Sequence, residues 1–336
     1  MAILMMEGFD SLVATSGANL VTELGVSKGL LYTSAGNGPS RVTGRLAGYA
    51  LTMSHGGSGG ATEVWTPVVD FPSGYASGVF GCAALVTGTG GLFRLLDTNS
   101  VAMDITLAAS TITVSYDPAG TTNDIASVST VLLSSGASFS FLEFAWSSTS
   151  FSIAQNGTVI YTKAMTSFAG IRKIECRTLA GGTGVMTLDD VYAKNDSTRL
   201  GDVAVRYLSL ASTTSNTGTL TGASGHAALN TFDGATTKIA FDVTQEATLT
   251  VGDISTTPAT VHAVQLLTNA QKSDAGSASM SVYTTTASKQ TVQTVTDLTA
   301  GAYTARRIVL ASDPHDAAAW TKTRVNSLSV SVDRSA

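Results

Sequence analysis

The sequence predicts an all-β protein built as two antiparallel sandwiches. Three observations lead there. First, Ser and Thr supply 39 and 49 of the 336 residues, beside 33 Gly and only 6 Pro. Thr and Val favour pleated surfaces, while Gly and Ser favour turns. Second, turn signals recur every 8–15 residues and no helical period intervenes. Third, Phe141–Lys163 reads FLEFAWSSTSFSIAQNGTVIYTK, a strand followed by a tight hairpin. Asn156-Gly157 suits the two positive-φ positions of a type I′ turn. A two-residue turn there pairs Ala154 with Val159, Ile153 with Ile160 and Phe151 with Thr162. Upstream, Leu142, Phe144 and Trp146 share one side of their strand, and Phe139, Phe141, Glu143 and Ala145 the other. One apolar side and one mixed side suit a sheet packed on a second sheet.

Taken in order, Glu7-Gly8-Phe9-Asp10 reads as the entry of a first strand, and Arg41–Met53 as the next. His55–Ala61 is a glycine-rich loop. Ser77–Thr87 is a nearly continuous apolar run, as in a central strand covered on both faces. Leu92–Leu96, Val101–Leu107 and Thr111–Tyr116 follow, then the turn Asp117–Gly120, then the hairpin unit, Ile171–Thr178 and Met186–Lys194. Asn195–Thr198 closes this first part. The second part opens with Val203–Leu210 and a Ser/Thr/Gly-rich loop, Ala211–Gly225. Strands are expected at Lys238–Val243, Ala247–Val251, Val261–Leu267, Ser279–Thr285, Gln290–Val295, Arg306–Leu310 and Ser327–Val332. A single short helix is expected near Asp316–Trp320, capped by Asp313 with Pro314 in its first position. The domain boundaries this implies are 1–198 and 199–336.

Composition narrows the function. Charged residues are 13%, about half the usual share. Residues 1–202 hold 10 Lys+Arg and 15 Asp+Glu, and the remainder 9 of each. Neither part has the basic surplus that neutralising phosphates needs, which argues against nucleic acid. No apolar run approaches the roughly 18 residues of a bilayer span. The first basic residue is Lys28 and the first apolar run ends at Glu7, so no secretory signal is expected.

Candidate chemistry is sparse. Jelly-roll glycan hydrolases need paired carboxylates. Only six Glu occur (7, 23, 63, 143, 175 and 246), none in a Glu-x-Asp-x-Glu pattern, and Glu143 stands alone among aromatics. The Gly-x-Ser-x-Gly within 55–61 lacks the strand and helix flanks of a nucleophile elbow. His55, His226, His262 and His315 are scattered, without metal-ligand spacing. Cys82 and Cys176 lie in apolar strand settings and read as buried thiols. Asn156-Gly157-Thr158 and Asn195-Asp196-Ser197 match the glycosylation pattern but read as turns. Trp65, Tyr75, Trp146 and Trp320 could stack on sugars, though cores of this aromatic-poor chain need them. In a period-two strand, Asp189 and Asp190 face opposite sides.

Three segments together resemble a known family. They are Glu7-Gly8-Phe9-Asp10, the hairpin around Asn156-Gly157, and Leu188-Asp189-Asp190-Val191-Tyr192 followed by Leu200-Gly201-Asp202-Val203. The tail, Asp313-Pro314 with Trp320-Thr321 and Val325-Asn326, is similar as well. The family is that of bacteriophage virion proteins with an N-terminal concanavalin A-like (laminin-G-like) jelly roll. The resemblance implies a concanavalin A-like domain over 1–198 and a smaller β-sandwich over 199–336. It implies a non-enzymatic virion component of tail, tail tip, collar or head fibre, assembled in the bacterial cytoplasm. Its partners would be other virion proteins in a symmetric oligomer, a trimer, and host glycan. Such modules often hold a structural calcium between first and last strands, which here points to Glu7 and Asp190. The competing expectation is a carbohydrate-binding module or adhesin.

Overall fold

A computed structural model describes the chain except residues 1–2, 13, 27–30, 34–37, 47, 55–62, 69–73, 98–101, 109, 117–123, 130–137, 166–169, 180–183, 223–224, 231–235, 257, 259, 274 and 336. The glycine-rich loop 55–61 and the turn 117–120 fall outside the described residues. The chain forms two compact units, Met1–Gly25 with Leu30–Arg206, and Val26–Gly29 with Tyr207–Ala336.

The first unit runs β1 (Ile3–Glu7), α1 (Gly17–Val26), β2 (Leu31–Thr33), β3 (Ser40–Thr43), β4 (Tyr49–Ser54), β5 (Val64–Val68), β6 (Gly78–Thr87) and β7 (Thr89–Asp97). Then follow β8 (Ala102–Ala108), β9 (Thr111–Tyr116), β10 (Asp124–Ser129), β11 (Ser140–Trp146), β12 (Ser150–Gln155), β13 (Thr158–Ala164), β14 (Ile171–Thr178) and β15 (Val185–Lys194). They make an antiparallel jelly roll of two sheets. The eight-stranded sheet has the order β13-β12-β11-β6-β15-β4-β3, with β1 also on β15. The seven-stranded sheet has the order β10-β9-β8-β7-β14-β5-β2. Alternation sends Leu142, Phe144 and Trp146 from one sheet, and Phe93, Leu95 and Ile105 from the other, into one core. Phe93 meets Phe144 with ring centroids 5.0 Å apart.

Several elements differ from the sequence expectation, each for a physical reason. The first strand ends at Glu7, because Phe9 takes φ +58 and breaks the extended backbone. Arg41–Met53 is a hairpin of two strands, not one strand. Asn156 and Gly157 do have positive φ, 49° and 80°. Ala154 pairs with Val159 as expected, but Ile153 pairs with Tyr161 and Phe151 with Lys163. Ile160 is the extra residue of a β-bulge, which moves the rest of β13 by one place. Helix α1 was not expected, since Gly, Asn, Thr and Val are weak helix formers. It is held by tertiary contacts. Leu20 and Leu24, one turn apart, enter the core, and the Glu23 carboxylate accepts from Ala14 N at 2.7 Å.

The second unit contains β16 (Leu210–Asn216), β17 (Thr219–Thr221), a 3₁₀ turn (Gly225–Leu229), β18 (Lys238–Ala240), β19 (Glu246–Val251) and β20 (Val264–Ala270). It continues with β21 (Ser279–Thr285), β22 (Lys289–Val295), β23 (Thr304–Leu310), α2 (Lys322–Asn326) and β24 (Ser329–Ser335). A five-stranded sheet, β16-β19-β24-β21-β22, packs Val282 and Val330 against Ile308, Leu266 and Leu310 of the β20–β23 ribbon. This is the smaller β-sandwich. Residues 203–209 are not a strand, and the expected loop 211–225 contains β16 and β17. The tail helix lies one segment later than expected. Thr321 caps it by accepting from Arg324 N, whereas Asp313 instead binds the Arg324 guanidinium at 2.6 Å.

Candidate functional site

Three of the acids singled out in the sequence, Glu143, Asp189 and Asp190, gather on the outer face of the eight-stranded sheet. There Phe141, Ala145, Tyr192, Val79 and Ala83 form a second apolar cluster, covered by Leu200 and Val203. The side of β11 expected to be mixed is therefore buried too, under a strap formed by residues 199–206. Gly81 permits this. A Cβ there would lie 2.1 Å from the Tyr192 ring.

Glu143 is the strap's anchor. It is 1% exposed, and one of its oxygens accepts from Tyr192 Oη at 2.5 Å and from the amides of Leu200 and Gly201 at 3.0 Å each. Glu143 thus holds the backbone of the strap from beneath the surface. Burial also pushes the Tyr192 hydroxyl well above its ordinary value.

Asp189 and Asp190 do not face opposite sides. The pairing of β15 with β6 shifts between Asp189 and Tyr192, and Asp190 takes φ +49. This bulge breaks the period of two and brings both carboxylates to Arg45. The Arg45 amide donates to Asp189 at 2.7 Å and its Nε to Asp190 at 2.9 Å. Its other guanidinium nitrogens reach Asp202 and the Val203 carbonyl of the strap. Val205 N donates to the second oxygen of Asp190 at 2.7 Å. Burial, with the neighbouring Asp190 charge, raises Asp189 to about 7. Burial raises Asp190 as well, against the pull of Val205 N and Arg45.

The expected calcium pair is close in the fold, since Glu7 lies opposite Val191 across β1 and β15. Its donor set does not fit a calcium ion, however. Both oxygens of Asp190 are taken, one by a guanidinium and one by an amide, and a Glu7 oxygen accepts from Phe9 N at 2.9 Å. Among the described residues no group of three or more His, Cys, Asp or Glu is arranged to hold a metal. Cys82 and Cys176 are buried free thiols, each pushed up by burial. Trp65, Trp146 and Trp320 are core residues. Tyr75 is half-buried, and its carbonyl accepts from Trp146 Nε1.

Sequence reading missed the outer face of the seven-stranded sheet. Inward residues of β7, β8 and β14 (Phe93, Leu95; Met103, Ile105; Ile174, Cys176) leave Arg94, Asp104, Lys173, Glu175 and Arg177 on the outside. The register sets Arg94 between Asp104 and Glu175 in one cross-strand row. Arg94 grips Asp104 through two bonds, Nε–Oδ1 at 2.7 Å and Nη2–Oδ2 at 2.6 Å. Glu175 is clasped by Lys173 at 2.6 Å and Arg177 at 2.5 Å. Although burial pushes Glu175 up, these two cations outweigh it and hold the acid below its ordinary value. Bonding to Asp104 raises Arg94. Except for Glu175, these side chains are 27–29% exposed, so solvent and solutes reach them. The alternation Lys173-x-Glu175-x-Arg177 was the sequence signal available.

No protein-family model matches the chain, and no curated protein matches it. Solved structures give partial superpositions. The binding domain of botulinum neurotoxin DC in complex with SialylT aligns with a TM-score of 0.38 at 12% identity, over 51% of this chain and 44% of that one. The carbohydrate-binding module CBM66 from Bacillus subtilis aligns at 0.34 and 9%, over 48% and 94%. A Bacteroides ovatus mixed linkage glucan GH16 in complex with a G4G4G3G product aligns at 0.40 and 10%, over 57% and 99%. The chain thus spans less than half the length of the toxin domain. Superpositions this partial carry no functional information.

Proposed function

We propose that this chain is a non-catalytic glycan-binding module that uses the outer face of the seven-stranded sheet. The observation that carries the reading is the cross-strand row of Asp104, Arg94 and Glu175 flanked by Lys173 and Arg177, in which all but Glu175 reach solvent. Carboxylates accept from sugar hydroxyls and guanidinium groups donate to them, and ion pairing fixes both in place before a ligand arrives. A glycosidase needs one carboxyl kept protonated as a general acid. Glu175 and Asp104 are each bound by cations, and Glu175 is held low. The test is a glycan array probed with the full chain. Reproducible binding that Arg94→Gln abolishes supports the reading, and silence across the array defeats it.

A second reading, a bacteriophage virion component, draws on one observation. The Leu200-Gly201-Asp202-Val203 segment behind the resemblance is the part of the strap bound by Glu143 and Arg45. Finding the chain at fixed copy number in a purified particle would establish it, and such a particle part could bind glycan too.

A further inference from the structure

Resting on the glycan-binding reading, we propose that the charged face of the seven-stranded sheet selects sugar chains that carry repeated carboxylates, of the polyuronate type. The local charge is the first reason. Residues 1–206 contain 11 Lys+Arg and 15 Asp+Glu, a net charge of −4. Yet among the described residues the β7, β8 and β14 part of this face carries three cations, Arg94, Lys173 and Arg177, against two carboxylates, Asp104 and Glu175. It is a positive island on a negative unit, and an anionic ligand is drawn to it and away from the remainder.

The second reason is how the cations are held. Arg94 gives Nε and Nη2 to Asp104, and Arg177 gives Nε and Nη2 to Glu175. Each guanidinium is thereby fixed along one edge and keeps Nη1 for an incoming acceptor. Lys173 gives Glu175 one of three ammonium protons. Fixing these long side chains beforehand removes much of the ordering cost of binding. A ligand carboxylate then gains charge-assisted bonds that a neutral sugar cannot make.

Spacing is the third. Lys173 and Arg177 stand on either side of Glu175 along β14, and their charged ends converge on its carboxylate, at 2.6 and 2.5 Å. Arg94 lies on the neighbouring strand opposite Glu175, between them. Arg94 turns to Asp104 instead, so the cations form two centres, and a chain bearing a carboxylate on successive sugars can meet both. Thr106 and Thr113, paired across β8 and β9, continue the face with hydroxyl groups.

The test is calorimetric titration of the full chain with a size-defined oligogalacturonate and with a neutral maltooligosaccharide of equal length. The proposal expects oligogalacturonate to bind, the neutral oligomer to bind at least tenfold more weakly, and 0.5 M NaCl to weaken the acidic ligand only. Arg94→Gln and Lys173→Gln should each cost about tenfold, with Arg94→Lys partly restoring affinity and unchanged melting confirming the fold. Equal binding of both oligomers overturns the acidic class while leaving glycan binding intact. Oligogalacturonate binding indifferent to these substitutions overturns the site. Failure of both oligomers, together with a silent array, defeats the underlying reading itself.

Discussion

Glu143 and Glu175 both sit on central strands of the first unit, pointing away from the shared core, and both are nearly inaccessible. Their surroundings differ. Glu143 faces a hydroxyl and two backbone amides beneath a strap of chain, and its neighbours on that face are Phe141, Tyr192 and Leu200. Glu175 faces an ammonium and a guanidinium that reach solvent. A carboxylate paid for by amides closes a surface; one flanked by exposed cations leaves it open. The position of an acid on a strand therefore says less about its use than the kind of donor that meets it.

The largest effect should come from emptying the strap's anchor. Glu143→Ala leaves the Tyr192 hydroxyl and the Leu200 and Gly201 amides buried without an acceptor. It should cost on the order of 3–5 kcal/mol in denaturant unfolding, while Glu143→Gln, which keeps an acceptor, should cost about 1 kcal/mol. Next, Arg45→Met strands the buried Asp190 carboxylate, with an expected loss of about 3 kcal/mol. A loss under 1 kcal/mol in either Glu143→Ala or Arg45→Met would mean that the strap face is not closed as described.

Proton linkage separates the two faces by sign. Asp189 is raised from 3.8 to about 7, mainly by burial. Between those values the native state holds a proton that the unfolded chain lacks, so this contribution is complete below pH 3.8 and fades as pH rises through about 7. Glu175 is lowered from 4.5 despite burial, because of Lys173 and Arg177. Its contribution is present above pH 4.5 and fades on acidification. Asp189→Asn should flatten the decline in melting temperature between about pH 5 and 7, and Glu175→Gln should leave that limb untouched. On the open face, Arg94→Gln should cost no more than about 1 kcal/mol, since both partners are partly exposed. Smallest of all, calcium or chelator should leave the melting temperature unchanged, because Asp190 is already occupied by Arg45 and Val205.

Strands with clean alternation were legible from sequence. Thr111–Tyr116 lies where period two puts it, with burial alternating along its whole length, because one buried face fixes its register. The turn at Asn156-Gly157 was legible because its φ values are a local property. The bulge at Ile160 and the one at Asp190 were not, since each depends on a neighbouring strand or on Arg45. Helix α1 was hidden because its stability comes from Leu20 and Leu24 meeting a core assembled elsewhere. The open face was half legible. Lys173, Glu175 and Arg177 alternate visibly, but their alignment with Arg94 requires β7 and β14 to be neighbours, and no local pattern announces that.

The strap also sets an order of events during synthesis. Strands β6, β11 and β15 must come together across more than a hundred residues before Glu143 has anything to hold, and such distant pairings form slowly. Until Leu200 and Val203 have left the ribosome, Phe141, Val79 and Tyr192 are bare to water on a finished sheet. A chain stalled a few residues short of the strap would therefore be a target for chaperones and a seed for aggregation.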